Sequence, residues 1–454
     1  MAMRAVNPAT EEVIASYDEL NEDQVYVEID RAHDAFQEWK LKSFHERRQH
    51  MLKAASILRD NRSGYAKILT LEMGKPIKQA LQEVEKCAWV CEYYAENAER
   101  ILGREPVETD ASESYVQFDP LGVILAVMPW NFPYWQVFRF AAPALMAGNV
   151  GLLKHSSNVP MSALAIEEIF TKAGFPPNVF KTLLVGSSMI EKIISHPKVM
   201  AATLTGSDGA GRQVASTAGR NLKKTVLELG GSDAFIVLSD ADINQAAKTA
   251  VASRIINNGQ SCIAAKRFIV VKDVIREFES KFVAIVKDLK IGDPMQEQND
   301  IGPIAREDLL LELDKQVQES VKMGARIVTG GKRLGMKGYY YPVTVLTNVK
   351  PGMPAYGQET FGPIAAIIQA EDEEDAVRIA NDTQFGLGAN LWTGDIERAK
   401  RLAHRIEAGS IFINGMVHSD PRLPFGGIKN SGYGRELAQY GIKEFLNIKT
   451  VWIG

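Results

Sequence analysis

The sequence predicts an α/β protein built from two doubly wound sheets, and three observations carry that prediction. From residue 122 onward, short apolar runs typical of buried strands alternate with runs of helical period, and a second series of this kind starts near residue 231. Residues 104–118 are polar and partly β-branched without helical period, which predicts an extended arm outside both sheets. A chain of 454 residues has room for two or three domains.

The elements follow in chain order. Residues 22–103 predict amphipathic helices because charged and apolar side chains recur at helical spacing. The first series predicts strands at 123–128, 150–154, 180–185, 201–205 and 224–229, with helices at 135–147, 160–173, 189–195 and 211–219. The second predicts strands at 234–238, 267–271, 325–329, 362–369 and 410–414, with helices at 243–256, 274–289, 373–381 and 396–405. The tail, 445–453, predicts a strand that pairs with the arm or with another subunit.

Composition excludes several classes of function. A net charge of −4 with scattered Lys and Arg gives no basic surface for nucleic acid or for an acidic membrane. No apolar run reaches 18 residues, so no membrane span is expected. The three cysteines provide neither a disulfide framework nor metal-ligand spacing, and Cys87 and Cys91, four residues apart, are expected to pack within a helix. These features predict a protein without a bound metal, in a reducing, cytoplasmic setting.

The third cysteine, Cys262, lies in a polar stretch, 257–267, between a predicted helix and a predicted strand. A thiol on such a loop, with backbone N–H groups nearby, can have a lowered pKa and act as a nucleophile toward carbonyl carbon. The alternative is a small cysteine packed in the core, which is the commoner role of a free cysteine. This stretch by itself leaves both open.

Two further polar side chains follow predicted strands of the first series, where ligands of such sheets bind. Asn131 stands between two prolines, and its amide could stabilise an oxyanion, although a turn asparagine is the simpler interpretation. Glu228 ends an apolar strand, which predicts a raised pKa and a role as general base. A capping or ion-paired glutamate is the alternative.

Two other strand-end loops have the composition of a nucleotide site. The loop that contains Lys154, His155, Ser156 and Ser157 opens a helix, which suits a phosphate or ribose, or simply an N-cap. Thr205, Gly206, Ser207 and Asp208 begin a glycine-rich stretch between strand and helix, as a pyrophosphate loop requires. Its glycine spacing departs from GxGxxG, so this signal is weak.

Taken together, these motifs give the chain a resemblance to the NAD(P)-dependent aldehyde dehydrogenase superfamily over nearly its whole length. The motifs occur in the family's order: PWNFP at 129–133, the Lys154 loop, TGS at 205–207, ELGG at 228–231, GQSC at 259–262, ETFGP at 359–363, NDTQFGL at 381–387 and PFGGIKNSGYGRE at 424–436. Each motif alone is weak, whereas eight in register are highly specific.

The resemblance implies an aldehyde dehydrogenase-like fold with two doubly wound α/β domains and a β oligomerisation arm. It implies a dinucleotide-binding domain at 1–103 and 119–229, a catalytic domain at 230–434 and an arm at 104–118 and 435–454. The arm implies a homodimer or homotetramer.

The family's roles carry over by position. Cys262 resembles the nucleophile that forms a thiohemiacetal and then a thioester, Asn131 resembles an oxyanion donor, and Glu228 resembles the base that activates water. The resemblance also implies cofactor contacts, at Trp130, Lys154, His155, Ser156, Ser157, Thr205, Gly206, Ser207, Asp208, Leu229, Glu359 and Phe361.

The substrate is expected to be a small aldehyde that carries a carboxylate. Arg139 follows Asn131 by eight residues on the next helix, and its position matches an arginine of succinate-semialdehyde dehydrogenases. Ser419 matches a substrate-contacting serine of that group, while Trp135 and Gln136 share the Arg139 region. A surface ion pair is the alternative role for Arg139, and a different small aldehyde or a non-catalytic member of the fold is the alternative function.

Two positions depart from the pattern of other members. Ile256 stands where longer members carry an arginine six residues before the nucleophile, and Ala264 stands where some carry a second cysteine, so a local disulfide switch is not expected. At Ser157, NAD-preferring relatives often have a glutamate that holds the adenosine ribose. A neutral serine three residues after Lys154 instead implies a preference for NADP, with NAD also possible.

Overall fold

The structure is a computed structural model that describes residues 2–454. Twenty strands are present in this part of the chain: β1 Ala2–Asn7, β2 Glu12–Asp18, β3 Glu105–Pro106, β4 Glu113–Pro120, β5 Val123–Met128, β6 Val150–His155, β7 Phe180–Thr182, β8 Val199–Thr205, β9 Lys224–Glu228, β10 Ala234–Val237, β11 Arg267–Val271, β12 Arg326–Thr329, β13 Thr344–Thr347, β14 Ile364–Ala370, β15 Phe385–Gly386, β16 Gly388–Trp392, β17 Ser410–Ile413, β18 Ile428–Lys429, β19 Gly432–Tyr433 and β20 Leu446–Ile453.

The α-helices of residues 2–454 are α1 Glu22–Trp39, α2 Phe44–Asp60, α3 Arg62–Met73, α4 Ile77–Ile101, α5 Trp135–Met146, α6 Pro160–Lys172, α7 Ile190–Ser195, α8 Asp208–Arg220, α9 Ile243–Ile255, α10 Ile275–Asp288, α11 Glu307–Lys322, α12 Pro354–Gly357, α13 Glu373–Asn381, α14 Ile396–Ala403 and α15 Ala438–Lys443. Short 3₁₀ turns occupy Ser187–Met189 and Ile256–Gly259.

The first large sheet has the strand order β19-β9-β8-β5-β6-β7. All neighbours are parallel except β19, which runs antiparallel to β9. The chain adds β6 and β7 on one side of β5 and then β8 and β9 on the other, so the direction of winding reverses at β5. A crevice forms where the order reverses, at the carboxyl ends of the strands, and the loops after β5 and β8 border it.

The second large sheet has the order β12-β13-β14-β11-β10-β16-β17, with β12 as its one antiparallel strand. The predicted α/β class with two doubly wound sheets is therefore confirmed. Its inner strands are apolar on both faces and pack against helices on both sides, as in Val345, Ile367 and Ile269. Two separate clusters of buried side chains cover its two faces.

The arm and the tail form a third, smaller sheet of order β20-β4-β3. The tail strand β20 pairs antiparallel with β4 from Leu446 opposite Pro120 to Ile453 opposite Glu113. The tail was expected to pair with the arm or with another subunit, and in the structure it pairs with the arm of the same chain. The apolar side chains of Ile448 and Trp452 on β20 remain largely exposed.

Several elements differ from the sequence-based expectation. The N-terminal hairpin β1–β2, helix α11 and strands β13 and β16 occupy stretches for which no element was predicted. Strand β16 reads Gly-Ala-Asn-Leu-Trp, and its first three residues have low strand propensity, so its place between β10 and β17 comes from tertiary pairing. Strand β7 ends at Thr182, three residues before the predicted end.

Two other observations concern the helices. Cys87 and Cys91 are fully buried on one side of α4, which confirms their expected packing role. No helix within residues 2–454 combines the length and the apolar character that crossing a bilayer requires.

Asn149 joins the arm to the first sheet, which gives a test of this architecture. Its buried Oδ1 accepts from Gly122 N–H at 2.9 Å, and its Nδ2 donates to the Phe445 carbonyl at 3.0 Å. Asn149→Ala leaves both partners buried without a bond, so we expect a loss of about 2–4 kcal/mol in the free energy of unfolding. Denaturant unfolding measures it, with Asn244→Ala at an exposed position of α9 as the control. Equal stability of the two variants would contradict this role for Asn149.

Candidate active site

The loop that carries Cys262 begins with an unusual turn at the end of α9. Asn257, Asn258 and Gly259 are consecutive residues with φ of 53°, 59° and 78°. Asparagine tolerates this left-handed region better than most residues, which explains two asparagines here. At Gly259 a side chain is impossible, because a Cβ atom would lie 2.3 Å from the carbonyl carbon of Gly362.

Buried hydrogen bonds hold this turn in place. The Asn257 side chain donates to the carbonyl of Asn131 at 2.6 Å, and its backbone N–H donates to Gln79 Oε1 at 2.6 Å. The Asn258 side chain donates to the carbonyls of Gly74 and Pro303, each at 2.9 Å. The turn is thus tied to α4, to the loop after β5 and to the segment before α11.

Lys266 supports the same loop from its other end, and the sequence analysis missed it. Its buried ammonium donates to the carbonyls of Ser261 at 3.0 Å, Cys262 at 2.8 Å and Ala264 at 3.2 Å. A lysine next to an apolar strand was the available signal, because a buried ammonium requires several acceptors. Lys266 therefore fixes the backbone on both sides of the cysteine.

The Cys262 thiol is partly exposed to a cavity, and its ionisation is opposed by its surroundings. Burial raises the pKa of Cys262 to about 12, while the positive charges of Arg139 and Lys266 act in the opposite direction. The sequence analysis expected surroundings that lower the pKa. That expectation was wrong for this structure, because the loss of water around the sulfur outweighs the two cations.

Asn131 lies in the loop after β5 and is buried against the cysteine loop. Its side-chain Nδ2 donates to the Gln260 carbonyl at 3.2 Å, two residues before Cys262. A primary amide has two N–H groups, so this bond orients the side chain and uses only one donor. The predicted role of Asn131 as an oxyanion donor stays a prediction.

Glu228 ends β9 and is only 2% exposed. Neither of its carboxylate oxygens has a hydrogen-bond partner within residues 2–454, so it is neither a helix cap nor half of an ion pair there. Burial, followed by the nearby Glu436 carboxylate, raises the pKa of Glu228 well above its usual value. The predicted raised pKa is confirmed, and its causes are the loss of water first and the negative charge of Glu436 second.

A cavity of about 200 Å³ opens beside Cys262, between α4, α5 and the loop that follows β17. The four residues predicted to contact a substrate, Trp135, Gln136, Arg139 and Ser419, all line it. The other walls come from both halves of the chain: Gln79, Gln82, Glu83, Lys86, Phe132, Ile256, Ser261, Ile263, His418 and Phe425. The cavity therefore brings the predicted nucleophile and the predicted substrate residues together.

Arg139 is buried and already has partners. Its guanidinium forms an ion pair with Glu436, lies 3.4 Å from Thr205 Oγ1 and stands 4.6 Å from the centre of the Phe425 ring. The sequence analysis considered two roles for Arg139, a substrate contact or a surface ion pair. It did not anticipate the third arrangement that is observed, an internal ion pair at the cavity wall. Ile256 stands where longer members carry an arginine. The nearby Arg254 donates to the Gly259 carbonyl at 2.6 Å.

The four predicted cofactor residues in the loop after β6 differ from one another in exposure and in hydrogen-bond partners. Ser157 is exposed, and the N-cap of α6 is Val159, so Ser157 does not cap that helix. The carboxylate of Glu72 fills that role by accepting from the backbone N–H groups of Met161 and Ser162. Lys154 is buried at the end of β6, and burial lowers its pKa.

His155 turns away from this surface. The Ser156 N–H donates to His155 Nδ1 at 2.9 Å, which leaves the proton on Nε2, and that atom donates to the Pro133 carbonyl at 2.9 Å. Burial lowers the pKa of His155 to about 4, so the ring is neutral. The expected cofactor contact of His155 stays a prediction, and the bonds observed connect the loops after β5 and β6.

Several other predicted cofactor residues lie in or next to the loops that follow β5 and β8 and precede β14. Ser207 caps α8 by accepting from Ala210 N–H at 3.3 Å, and Asp208 begins the helix. Trp130 and Phe361 meet edge to face with ring centres 5.6 Å apart, although 231 residues separate them in the chain.

Glu359 lies against Gly230, where a Cβ would be 2.5 Å from its carboxylate, and it accepts from Gly231 N–H at 3.0 Å. An exposed hydroxyl beside a lysine, a helix N-terminus and a carboxylate at the nucleophile loop together fit a dinucleotide. Within residues 2–454 no cluster of His, Cys, Asp or Glu is arranged to hold a metal ion.

The chain is similar to known proteins over its whole length. The aldehyde dehydrogenase family profile matches residues 1–451. A protein of Synechocystis sp. called probable succinate-semialdehyde dehydrogenase [NADP(+)] is 53% identical, with full coverage of both chains. Succinate-semialdehyde dehydrogenase [NADP(+)] 1 of Mycobacterium tuberculosis is 51% identical, also over the whole of both chains.

Solved structures give the same result for the fold. The crystal structure of succinic semialdehyde dehydrogenase from Streptococcus pyogenes in complex with NADP+ superimposes with a TM-score of 0.98 at 38% identity, and the match covers 100% of each chain. Fold, motif order and site geometry thus lead to one conclusion: this chain belongs to the aldehyde dehydrogenase family.

Proposed function

We propose that this enzyme oxidises succinate semialdehyde to succinate with NADP as the hydride acceptor. The observation that carries the proposal is the cavity in which the Cys262 thiol shares a small volume with Arg139 and Ser419. A cationic wall beside the nucleophile suits an aldehyde with a carboxylate at its other end. The relatives named for this substrate and cofactor support the same choice.

Cys262 attacks the aldehyde carbon once its thiol has lost a proton, and a thiohemiacetal forms. The negative oxygen of this intermediate requires donors, and the second N–H of the Asn131 amide and the backbone N–H of Cys262 are the groups we assign. The chemistry that a bound NADP would supply is acceptance of a hydride from the former aldehyde carbon, after which the acyl group would remain on Cys262 as a thioester. The bonds from Lys266 and Asn257 keep the sulfur fixed during these steps.

Glu228 then serves the hydrolysis of the thioester. Its unpaired, buried carboxylate with a raised pKa is a stronger base than an exposed glutamate, so it takes a proton from water that attacks the thioester carbon. The thiolate of Cys262 leaves, succinate is released, and the proton on Glu228 passes to solvent. The reaction then balances: one aldehyde, one water and one oxidised dinucleotide give one acid, one reduced dinucleotide and the one proton that Glu228 passes to solvent.

For the larger organisation we propose the division predicted from the sequence. We assign dinucleotide binding to the sheet around β5 and the nucleophile to the sheet around β10, close to the boundaries 1–103 with 119–229, and 230–434. The exposed apolar face of β20 supports an interface between copies, as a homodimer or homotetramer. The free thiols at Cys87, Cys91 and Cys262 accord with a reducing, cytoplasmic setting.

The two acid–base groups give the first test of this chemistry. Cys262→Ala should abolish aldehyde oxidation and retain dinucleotide binding, since only the nucleophile is lost. Glu228→Gln should give a burst of reduced dinucleotide and then stop at the thioester, because hydrolysis lacks its base. The Cys262 thiol acts deprotonated and burial raises its pKa, so wild-type kcat/KM should rise with pH. Glu228 acts after hydride transfer and its pKa is also raised, so kcat should rise with pH where hydrolysis limits turnover. Rapid-mixing absorbance measures these effects, and turnover near wild type in either variant would refute the assignment.

A second test concerns the positive charge of Arg139. Arg139→Ala alone leaves Glu436 buried and unpaired. We therefore compare this single variant with the double variant Arg139→Ala/Glu436→Gln, which removes both charges. In both, KM for succinate semialdehyde should rise about tenfold more than KM for butanal, which is of equal length and uncharged. Steady-state kinetics with both aldehydes decides, and an equal loss for the two aldehydes would make Arg139 purely structural.

A third test concerns the cofactor. Ser157→Glu places a carboxylate at the exposed loop beside Lys154, where it would repel the 2′-phosphate of NADP but accept hydrogen bonds from the ribose of NAD. We expect kcat/KM for NADP to fall about 100-fold, with NAD use unchanged or improved. Ser157→Ala, which adds no charge, should change the NADP/NAD ratio far less. An unchanged ratio in Ser157→Glu would exclude this loop as the determinant.

A further inference from the structure

The charged side chains that the structure describes around the substrate cavity form ion pairs with groups of opposite charge, with the exception of one cation. Arg139 pairs with Glu436, and Lys75 pairs with Glu83. Lys86, on α4 three residues after Glu83, also lines the cavity. It is the cation to which the geometry gives no acidic partner.

The hydrogen bonds of Lys86 fix the position of its ammonium. Its Nζ donates to Ser419 Oγ at 2.7 Å and lies 4.2 Å from the centre of the Trp135 ring. Both of these neighbours belong to the same cavity as the Cys262 thiol. The ammonium therefore lies at the wall of the cavity that contains the Cys262 thiol.

The two carboxylates near Lys86 are already engaged. Besides Lys75, Glu83 binds the backbone N–H groups of Tyr134 and Trp135, at 2.9 and 3.0 Å. Asp420 holds the guanidinium of Arg422 through two bonds of 2.9 and 2.7 Å. Within residues 2–454, neither acid is free to neutralise Lys86, so the cavity wall retains one unmatched positive charge.

This unmatched charge has an energetic cost that a ligand can remove. Burial, followed by repulsion from Arg139, lowers the pKa of Lys86 to about 8. The protein thus keeps an ammonium in a place that disfavours it, without an internal anion to stabilise it. A monoanionic ligand would supply the missing charge, and Arg139 lines the same cavity as Lys86 and Cys262.

Lys86 also borders a second, open groove on the protein surface. That groove is lined in addition by Arg59, Arg62, Gln82, Glu85 and Trp89, and it shares Gln82 and Lys86 with the inner cavity. Lys86 therefore stands where the two spaces meet. A carboxylate held there leaves the other end of a short chain directed inward.

We propose that Lys86, together with Ser419, binds the carboxylate of the substrate directly and determines the preference for a carboxylated aldehyde. Arg139 acts behind them as a charge shared with Glu436. The inference rests on the proposed function and adds a residue to it that the motifs do not contain. Lys86 is then a specificity-determining residue of the cavity mouth, distinct from the reacting groups.

The test compares Lys86→Met with two other variants. Methionine has a similar length and no charge, Lys86→Arg retains the charge, and Lys78→Met makes the same change at an exposed position of the same helix. The measured quantity is the ratio of kcat/KM for succinate semialdehyde to kcat/KM for butanal. Melting temperature is recorded for each variant, because removal of an unpaired buried charge should not destabilise the fold.

We expect Lys86→Met to lower this ratio about 10- to 100-fold, mainly through KM for the charged aldehyde, which is the scale of one charge-assisted hydrogen bond. Lys86→Arg should recover part of the ratio, and Lys78→Met should leave it within about twofold of wild type. A folded Lys86→Met enzyme with an unchanged ratio, or with equal losses on both aldehydes, would overturn the inference.

A binding measurement removes the dependence on turnover. In a Cys262→Ala background, calorimetry with succinate should show affinity about 10- to 100-fold weaker when Lys86→Met is added. Equal affinity with and without Lys86→Met would overturn the inference. Failure of the proposed function looks different, because the wild-type enzyme would then show no preference for succinate semialdehyde over butanal.

Discussion

The left-handed turn before the nucleophile is the constraint on which the rest of the site depends. Three successive residues, Asn257, Asn258 and Gly259, adopt a backbone conformation that costs free energy for most side chains. Their hydrogen bonds to Gly74, Asn131 and other distant segments compensate for that cost. Since these bonds lead to different segments of the chain, the conformation of the cysteine loop depends on how those segments pack together.

The same dependence explains why neither sheet contains a complete site. Glu228 and Asn131 stand at the carboxyl ends of strands in the first sheet, whereas Cys262 precedes the first residue of β11 in the second. The contact of Trp130 with Phe361 crosses between the corresponding parts of the chain, as does the bond from the Asn257 side chain to the Asn131 carbonyl. Contacts between the two halves of the chain therefore bring together the residues to which we assign the chemistry.

Buried charge gives the site its chemical character. Removing water raises the pKa of Cys262 and of Glu228, so the protein keeps both protonated more readily than exposed groups. Two cations are located in the same region: Lys266 lies beneath the loop, and Arg139 lies at the cavity wall. Buried ion pairs contribute little net stability, so their role here is to fix the positions of the charged groups.

By itself, the sequence determined the alternation of strands and helices and the positions of Cys262, Glu228 and Asn131, because local periodicity and short motifs encode them. It could not reveal that Arg139 pairs with Glu436, or that Lys86 contacts Ser419 across 333 residues. It also left the capping role of Ser157 open, which Glu72 fills from a distant helix. Tertiary structure decided these points, since the partner of a buried charge is set by packing between segments that lie far apart in the chain.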